Sequence, residues 1–431
     1  MILSGLMNPP GRTGGACLAA AMLFLVSLPI GRAGVLPGWY GALPSTLSRS
    51  EAGRQAGWNV AVLSAAWDAL EPEPGRLAEG EVRRLRETAA AFRAQGYRLQ
   101  LDLGLQYPPA WVFDLPQARY QNQFGVEHRS SEPGRNVVNA VFNQAVRERM
   151  EGYMERVFRE VGTDWDWVRL GGGFYGEVNF PHPHHAGKTN CYWGFDALAQ
   201  GKADGLAKGI LPCPVPGWIP GRSSPGNTAA RQFVDWYLAA LQNYHDWQIH
   251  TVRRWYAGEI CMLYGSWGLR PGGVETAVEG ALAGNTPAEQ GGDLAMGSDW
   301  ARMIGGISDA GVIVYCTWID APREHCDDKG ADRARWSPVH WQASLAAANP
   351  RKLKVWGENT GQGTSDAMRL SFERVRLFGL MGLVWAFENE LFADPNPHNF
   401  ASLRDFAENI QECRASSVPD SAPLVFHPIH P

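Results

Sequence analysis

The feature that most constrains this chain is an alternation that runs almost from end to end. A short apolar segment with strand character is followed by a longer one with helical periodicity, eight times over, with no break in composition. The strand-like segments are Val35–Ala42, Asn59–Ala65, Arg98–Gly104, Trp167–Gly172, Arg254–Leu263, Val312–Trp318, Lys352–Trp356 and Gly382–Phe387. The helical patterns are Leu47–Ala56, Glu79–Gln95, Asn143–Val161, Thr228–Arg253, Ser298–Asp309, Ser337–Ala348, Asp366–Phe378 and Asn399–Cys413. Near-continuous apolar runs are the mark of parallel strands covered on both faces, and parallel neighbours need a crossover that a helix supplies. Eight such units predict an α/β chain closed into a (β/α)8 barrel, the TIM barrel. Ser337 before Pro338 reads as a helix cap followed by a first-turn proline, and Asp366 is placed to cap the next helix. An open doubly wound sheet is the competing arrangement. It needs a phosphate-binding turn, and although Gly171-Gly172-Gly173 follows a strand, Phe174, Tyr175 and an acid come where small residues would open a helix.

Two connections are long and rich in Gly and Pro: residues 178–227 after the fourth strand and 265–297 after the fifth. Both fall on the carboxyl-terminal face of a barrel, where long loops form lids or walls of a binding site. The first carries His182, His184, His185, Tyr192 and Trp193, and has too few regularly spaced apolar residues for a core of its own. It is expected to wall the site, with Tyr192 and Trp193 as ligand-stacking faces and His182 at the rim.

The ends of the chain read differently. Arg12 precedes an apolar stretch from Ala16 to Ile30, and Gly31-Arg32-Ala33 offers small residues around a cut, so residues 1–34 read as an export signal. The apolar run of about 15 residues is short of the roughly 20 needed to span a bilayer. Stable membrane insertion after cleavage is therefore not expected, and the mature chain, 35–413 as a catalytic domain with a proline-rich tail at 414–431, is expected in the periplasm or outside the cell. Beyond the signal lie Cys191, Cys213, Cys261, Cys316, Cys326 and Cys413, in a compartment that permits disulfides. Cys191 with Cys213 is the first pair to test; the alternative is that these are small buried hydrophobes. With 39 basic and 44 acidic side chains, and no long basic run, nucleic acid is not an expected partner. The 18 Trp and 12 Tyr supply core, and flat faces suited to the C–H surfaces of sugars.

Two carboxylates stand out by position. Glu177 follows the fourth strand and its glycines, and Glu358 ends the seventh strand in Val355-Trp356-Gly357-Glu358-Asn359. A glycosidic bond is cleaved by a proton donor on one side and a carboxylate on the other, so two strand-end acids far apart in sequence point to sugar-cleaving chemistry. Trp167, Phe174, Tyr175 and Phe180 are the aromatics available to desolvate Glu177 and raise its pKa. Asn179, Asn359, Trp318, Asp320 and Glu388 are further candidates for holding sugar hydroxyls or faces, with Glu259, Glu390 and Asp102 as competing acids and Glu71 as a structural one. The cluster His182-Pro183-His184-His185 lacks His-Glu-x-x-His spacing and a Cys-x-x-Cys partner, so no metal is assigned to it, and the chemistry calls for no cofactor.

The runs Trp67-Asp-Ala-Leu-Glu-Pro-Glu-Pro-Gly75, Leu99-Gln-Leu-Asp-Leu-Gly104 and Tyr107-Pro-Pro-Ala-Trp111 resemble the amino-terminal half of barrel glycoside hydrolases related to the family 42 β-galactosidases. That resemblance implies an acid/base at Glu177, a nucleophile at Glu358 and a sugar-stacking tryptophan at Trp385. It also meets a departure: those retaining enzymes carry Asn directly before the acid, where this chain has Gly176. The block Gly176-Glu-Val-Asn-Phe-Pro181, and Glu358-Asn359-Thr360 after it, is more similar to the β-amylases, which invert and cut α-linked glucan. Retaining pairs stand about 5 to 5.5 Å apart and inverting pairs roughly 6.5 to 9.5 Å, so strand position leaves stereochemistry open. The expectation is an exported glycoside hydrolase acting on a carbohydrate, β-galactosidase-like first, β-amylase-like second, with a sugar-binding barrel without turnover as the reading from another class.

Overall fold

The computed structural model describes residues 38–415 except 267, 281, 284–291 and 331. The expected export signal and most of the 414–431 tail lie outside the described residues. Eight strands alternate with helices: β1 (Trp39–Leu43), β2 (Val60–Ser64), β3 (Arg98–Asp102), β4 (Trp167–Leu170), β5 (Glu259–Tyr264), β6 (Val312–Cys316), β7 (Val355–Gly357) and β8 (Gly382–Ala386). The helices are α1 (Leu47–Gln55), α2 (Trp67–Leu70), α3 (Glu79–Ala94), α4 (Gln144–Glu160), α5 (Thr228–Val252), α6 (Gly273–Glu279), α7 (Gly292–Met296), α8 (Trp300–Gly306), α9 (Pro338–Ala348), α10 (Ser365–Phe378), α11 (Glu388–Leu391) and α12 (Leu403–Ala415). β2 to β7 pair in parallel in sequence order, and β1 pairs in parallel with β8. The seams between these two sheets are closed by Ser45 N–H to Val62 O (3.0 Å), Asn59 N–H to Tyr40 O (2.9 Å), Met381 N–H to Val355 O (2.9 Å) and a bridge from Glu358 to Val384. The result is the expected (β/α)8 barrel.

Strand alternation sorts side chains into two cores. Val60, Val62, Trp167, Cys261, Leu263, Ile313, Tyr315, Trp356 and Val384 fill the lumen, while the residues between them, such as Leu99, Val168, Met262 and Leu383, pack against the helices. At the amino-terminal end the lumen is stoppered by tryptophans: the Trp39 and Trp356 rings both meet Trp167 edge-on, at 5.2 and 4.9 Å. Trp167 Nε1 donates to Glu259 (3.0 Å), and Lys354 pairs with the same carboxylate (2.5 Å). Glu259 is thus part of this stopper, remote from the carboxyl face.

Ser337 does cap α9, accepting from His340 N–H at 3.3 Å, with Pro338 at the first turn. The next helix is capped by Thr364, not Asp366, because the helix begins one residue earlier than expected and leaves Asp366 to pair with Arg369. The 265–297 connection contains two short helices, α6 and α7. The disulfide expectation is corrected: all six cysteines of the described chain are free, and Cys191 and Cys213 are each buried, with Asn122 donating to Cys191 Sγ at 3.4 Å. Among the described residues no helix is long and apolar enough to cross a membrane.

Candidate active site

The lumen changes character toward its carboxyl end. Inward positions on β3, β4, β6 and β7 carry Gln100, Arg169, Tyr315 and, just past β7, Glu358. Arg169 Nη1 lies 2.8 Å from Glu358 Oε2 and Nη2 lies 3.2 Å from Oε1. Tyr315 OH donates to Glu358 Oε2 at 3.1 Å, and Arg169 Nη1 also donates to Tyr315 OH (3.3 Å) and reaches Gln100 Oε1 (3.5 Å). Arg169 and Glu358 are 5% and 8% exposed, so the pair is almost wholly withdrawn from water. Burial works against the guanidinium charge, but Glu358 beside it, with the Tyr315 and Asp102 oxygens, outweighs that and holds its pKa above the usual range.

Above this pair stands Glu177. After β4 the backbone doubles back: Gly172 N–H bonds to Gly176 O and Gly173 N–H to Glu177 O (2.8 Å). A Cβ on Gly171 would fall 2.1 Å from Gly176 O, so only glycine permits this turn. Val178 N–H then bonds to Leu263 O (2.9 Å), fastening the turn to β5. The Glu177 carboxyl accepts from Thr317 Oγ1 at 2.5 Å and from Asn179 Nδ2 at 2.9 Å. Gly265, just past β5, makes room for it: a Cβ there would lie 2.2 Å from Glu177 Oε2. Burial dominates the electrostatics and pushes Glu177 up to about 7 from an ordinary 4.5, with repulsion from Glu358 adding to it and the Thr317 and Asn179 bonds opposing. Glu177 as a whole is half-buried, while its carboxyl is enclosed by protein.

Two carboxyl groups in unlike environments therefore share one end of the barrel. One holds a proton near neutrality, and the other is gripped by a guanidinium and a phenol. Environments this unlike suit one carboxyl to donate a proton and the other to remain a carboxylate.

The remaining candidates divide. Asn179 is buried against Glu177, and its Oδ1 has no partner among the described residues. Trp318, half-buried next to Thr317, belongs to neither core. Asp102 is half-buried at the top of β3, accepting from Gly104 N–H and Gln106 Nε2. His182 is half-buried beside Phe174, 5.8 Å between ring centres. Among the described residues no three His, Cys, Asp or Glu gather to hold a metal ion.

The other candidates are engaged within the protein itself. Trp385 is fully buried, edge-on to Phe406 of α12, because Val384 takes the inward position and its neighbour must face the helices. The exposed aromatic at the end of β8 is Phe387, 41% exposed. Tyr192 and Trp193 are buried against α5, where Tyr192 packs on Phe233 and Tyr237 and the Trp193 N–H bonds to Tyr237 OH; they pin the loop rather than offer a ligand face. Asn359 spends its amide on Ala386, donating to its carbonyl (2.7 Å) and accepting from its N–H (2.6 Å). Glu388 is taken by Thr46 N–H and Oγ1 and by Arg49, Glu390 by Gln362 N–H, and Asp320 by Thr360 N–H. Glu71 is structural as expected, bonded to Trp67, Gly75 and Arg156.

Sequence reasoning missed Arg169, Tyr315, Thr317 and Gly265. Arg169 left a signal, a lone charge in the apolar strand Trp167-Val168-Arg169-Leu170, in phase with the inward Trp167. The others left none that separates them from core.

No protein-family model matches the chain, and no curated protein sequence matches it. Solved structures do. The catalytic domain of a β-amylase from Paenibacillus polymyxa superposes with a TM-score of 0.59 at 15% identity, over 88% of this chain and 98% of that one. A β-galactosidase from the haloarchaeon Halorubrum lacusprofundi gives 0.51 at 14% identity, and one from Marinomonas ef1 gives 0.52 at 12%. This chain spans 58% and 59% of those two enzymes' lengths. At such identities the likeness is one of architecture: the chain has the TIM-barrel fold on which these glycoside hydrolases are built.

Proposed function

We propose that this protein is an exported glycoside hydrolase, in which Glu177 protonates the leaving-group oxygen and Glu358 acts on the anomeric carbon, directly as a nucleophile or through water as a base. The single observation that carries this reading is the contrast between the two acids: Glu177, pushed up to about 7 by burial, stands over a Glu358 held by Arg169 and Tyr315. A carboxyl poised near neutral pH can give a proton and take it back. A purely sugar-binding barrel has no use for that arrangement.

The resemblance of the amino-terminal motifs supports a β-galactoside as substrate. A second reading, inverting hydrolysis of α-glucan, is favoured by Gly176 in place of Asn before the acid and by a match that takes in nearly the whole β-amylase catalytic domain. Hydrolysis of paired aryl α- and β-glycosides, with the product anomer followed by NMR, tests all of this. Release of galactose from β-galactosides with retention supports the first reading, and inversion on α-glucan the second. No hydrolysis of either series would overturn the glycosidase proposal.

A further inference from the structure

The pairing of β4 against β5 ends at Leu170 and Met262, just before the glycines that present Glu177. The next residue is held from outside the sheet. Gln248, on α5, accepts from Gly171 N–H at 3.1 Å and donates through Nε2 to Gly171 O at 3.1 Å, so one side chain serves both backbone groups of one residue. Gln248 is fully buried, and Gly171 is buried with it. Without the amide, both backbone groups would be shut from water with no partner, which is costly to a folded chain.

Gly171 stands six residues before the acid in sequence but lies against it in space. A Cβ on Gly171 would fall 3.2 Å from the Glu177 carbonyl carbon as well as 2.1 Å from Gly176 O, so a shift of Gly171 passes directly to the backbone that carries the acid. Tyr244, one helical turn before Gln248 and on the same face of α5, backs the next residue: its hydroxyl would meet a Cβ on Gly172 at 2.8 Å. Elsewhere the turn is tied by Tyr175 N–H to Gly134 O (2.8 Å) and by Val178 N–H to Leu263 O (2.9 Å). Those bonds hold its tip and its exit, and Gln248 holds its entry. The titratable groups that bear on this region are Glu358 at the end of β7, Cys316 of β6 and Tyr244, whose ring centre is 5.7 Å from the Arg147 guanidinium; burial keeps the thiol and the phenol protonated through the neutral range.

We propose that Gln248 is a positioning residue for the general acid: from α5 it fixes the entry of the glycine turn, and through that turn the place from which Glu177 gives its proton. The inference rests on the glycosidase reading above. Gln248→Met removes both bonds with little change of volume. On the glycoside that the wild type cleaves, kcat should fall roughly ten- to hundredfold, the effect of moving a reacting group by an ångström, with KM little changed. Gln248→Glu should recover most of that loss on the acid side of the Glu177 limb, because a buried carboxyl stays protonated and then carries the same acceptor and donor as the amide. A second readout needs no substrate. The melting difference between the Glu177 protein and Glu177→Gln should vary with pH between 4.5 and about 7, and adding Gln248→Met to both should draw the upper edge down toward 4.5, since a loosened turn lets water reach the carboxyl. A kcat that stays at the wild-type level, an upper edge that does not move, or a folded Gln248→Glu as slow as Gln248→Met would overturn the proposal and make Gln248 a packing residue. If Gln248→Met does not fold, Gln248→Asn, too short to reach both groups of Gly171, takes its place in both readouts. Failure of the wild type to cleave any glycoside would remove the glycosidase reading instead, and the melting comparison would still decide whether Gln248 places the Glu177 carboxyl.

Discussion

Arg169 reaches across the barrel lumen from β4 to take both oxygens of Glu358 at the end of β7, an ion pair between residues 189 apart in sequence. Taking one partner from a buried pair leaves the other charge uncompensated, at a cost of about 3 to 5 kcal/mol. Arg169→Met should therefore lower the unfolding free energy by that order, read from urea denaturation. Arg169→Lys keeps the charge but loses the two-pronged grip, and should fold while turning over more slowly.

Glu177→Gln should lower kcat by roughly 10²- to 10⁴-fold, the usual worth of a positioned proton donor. Wild-type activity should decline as pH rises through about 7, where Glu177 gives up its proton, and the variant should lack that limb. Stability carries the same signature. Between 4.5, the ordinary value, and about 7 the folded protein holds a proton that the unfolded chain has released. The contribution is therefore full below the lower value and lost as pH rises through the upper. Melting curves across this window should show the wild type losing ground to the Gln variant, and parallel curves would count against a raised pKa.

Gly265→Ala probes the same carboxyl without touching it chemically. The new methyl would meet Glu177 Oε2 at 2.2 Å, so the acid must leave Thr317 or Asn179. Turnover should fall by an order of magnitude or more, about what misplacement of a reacting group by an ångström costs, with a melting temperature close to wild type.

Trp193→Ala and Asn359→Ala should act on stability rather than on KM. Removing the buried indole should cost about 3 to 5 kcal/mol, and removing the amide that serves both backbone groups of Ala386 about 1 to 3 kcal/mol. A raised KM with unchanged melting would return either residue to the substrate site.

Thiol titration of the denatured, unreduced protein should find Cys191 and Cys213 reactive, as befits the free cysteines of the structure.

The barrel was legible because each strand and helix announces itself within a dozen residues, and the two acids because glycines and strand ends flank them. What was misread depended on phase or on distant partners. Trp385 lies one residue from the inward position, and a strand pattern that is apolar on both faces does not reveal which of two neighbours points in. Tyr192 and Trp193 find their partner Tyr237 on α5, more than forty residues onward, so their loop looked coreless when its core lies elsewhere. Asn359 and Glu388 had the composition of ligand-binding groups and were claimed by the backbone next door.

The tryptophan stopper of Trp39, Trp167 and Trp356 has a consequence for traffic. With the amino-terminal end of the lumen shut, there is no back door: whatever enters between the β–α connections must leave between them. On the glycosidase proposal, a polymer would not be threaded through the barrel, and each fragment would leave by the same face through which the substrate entered.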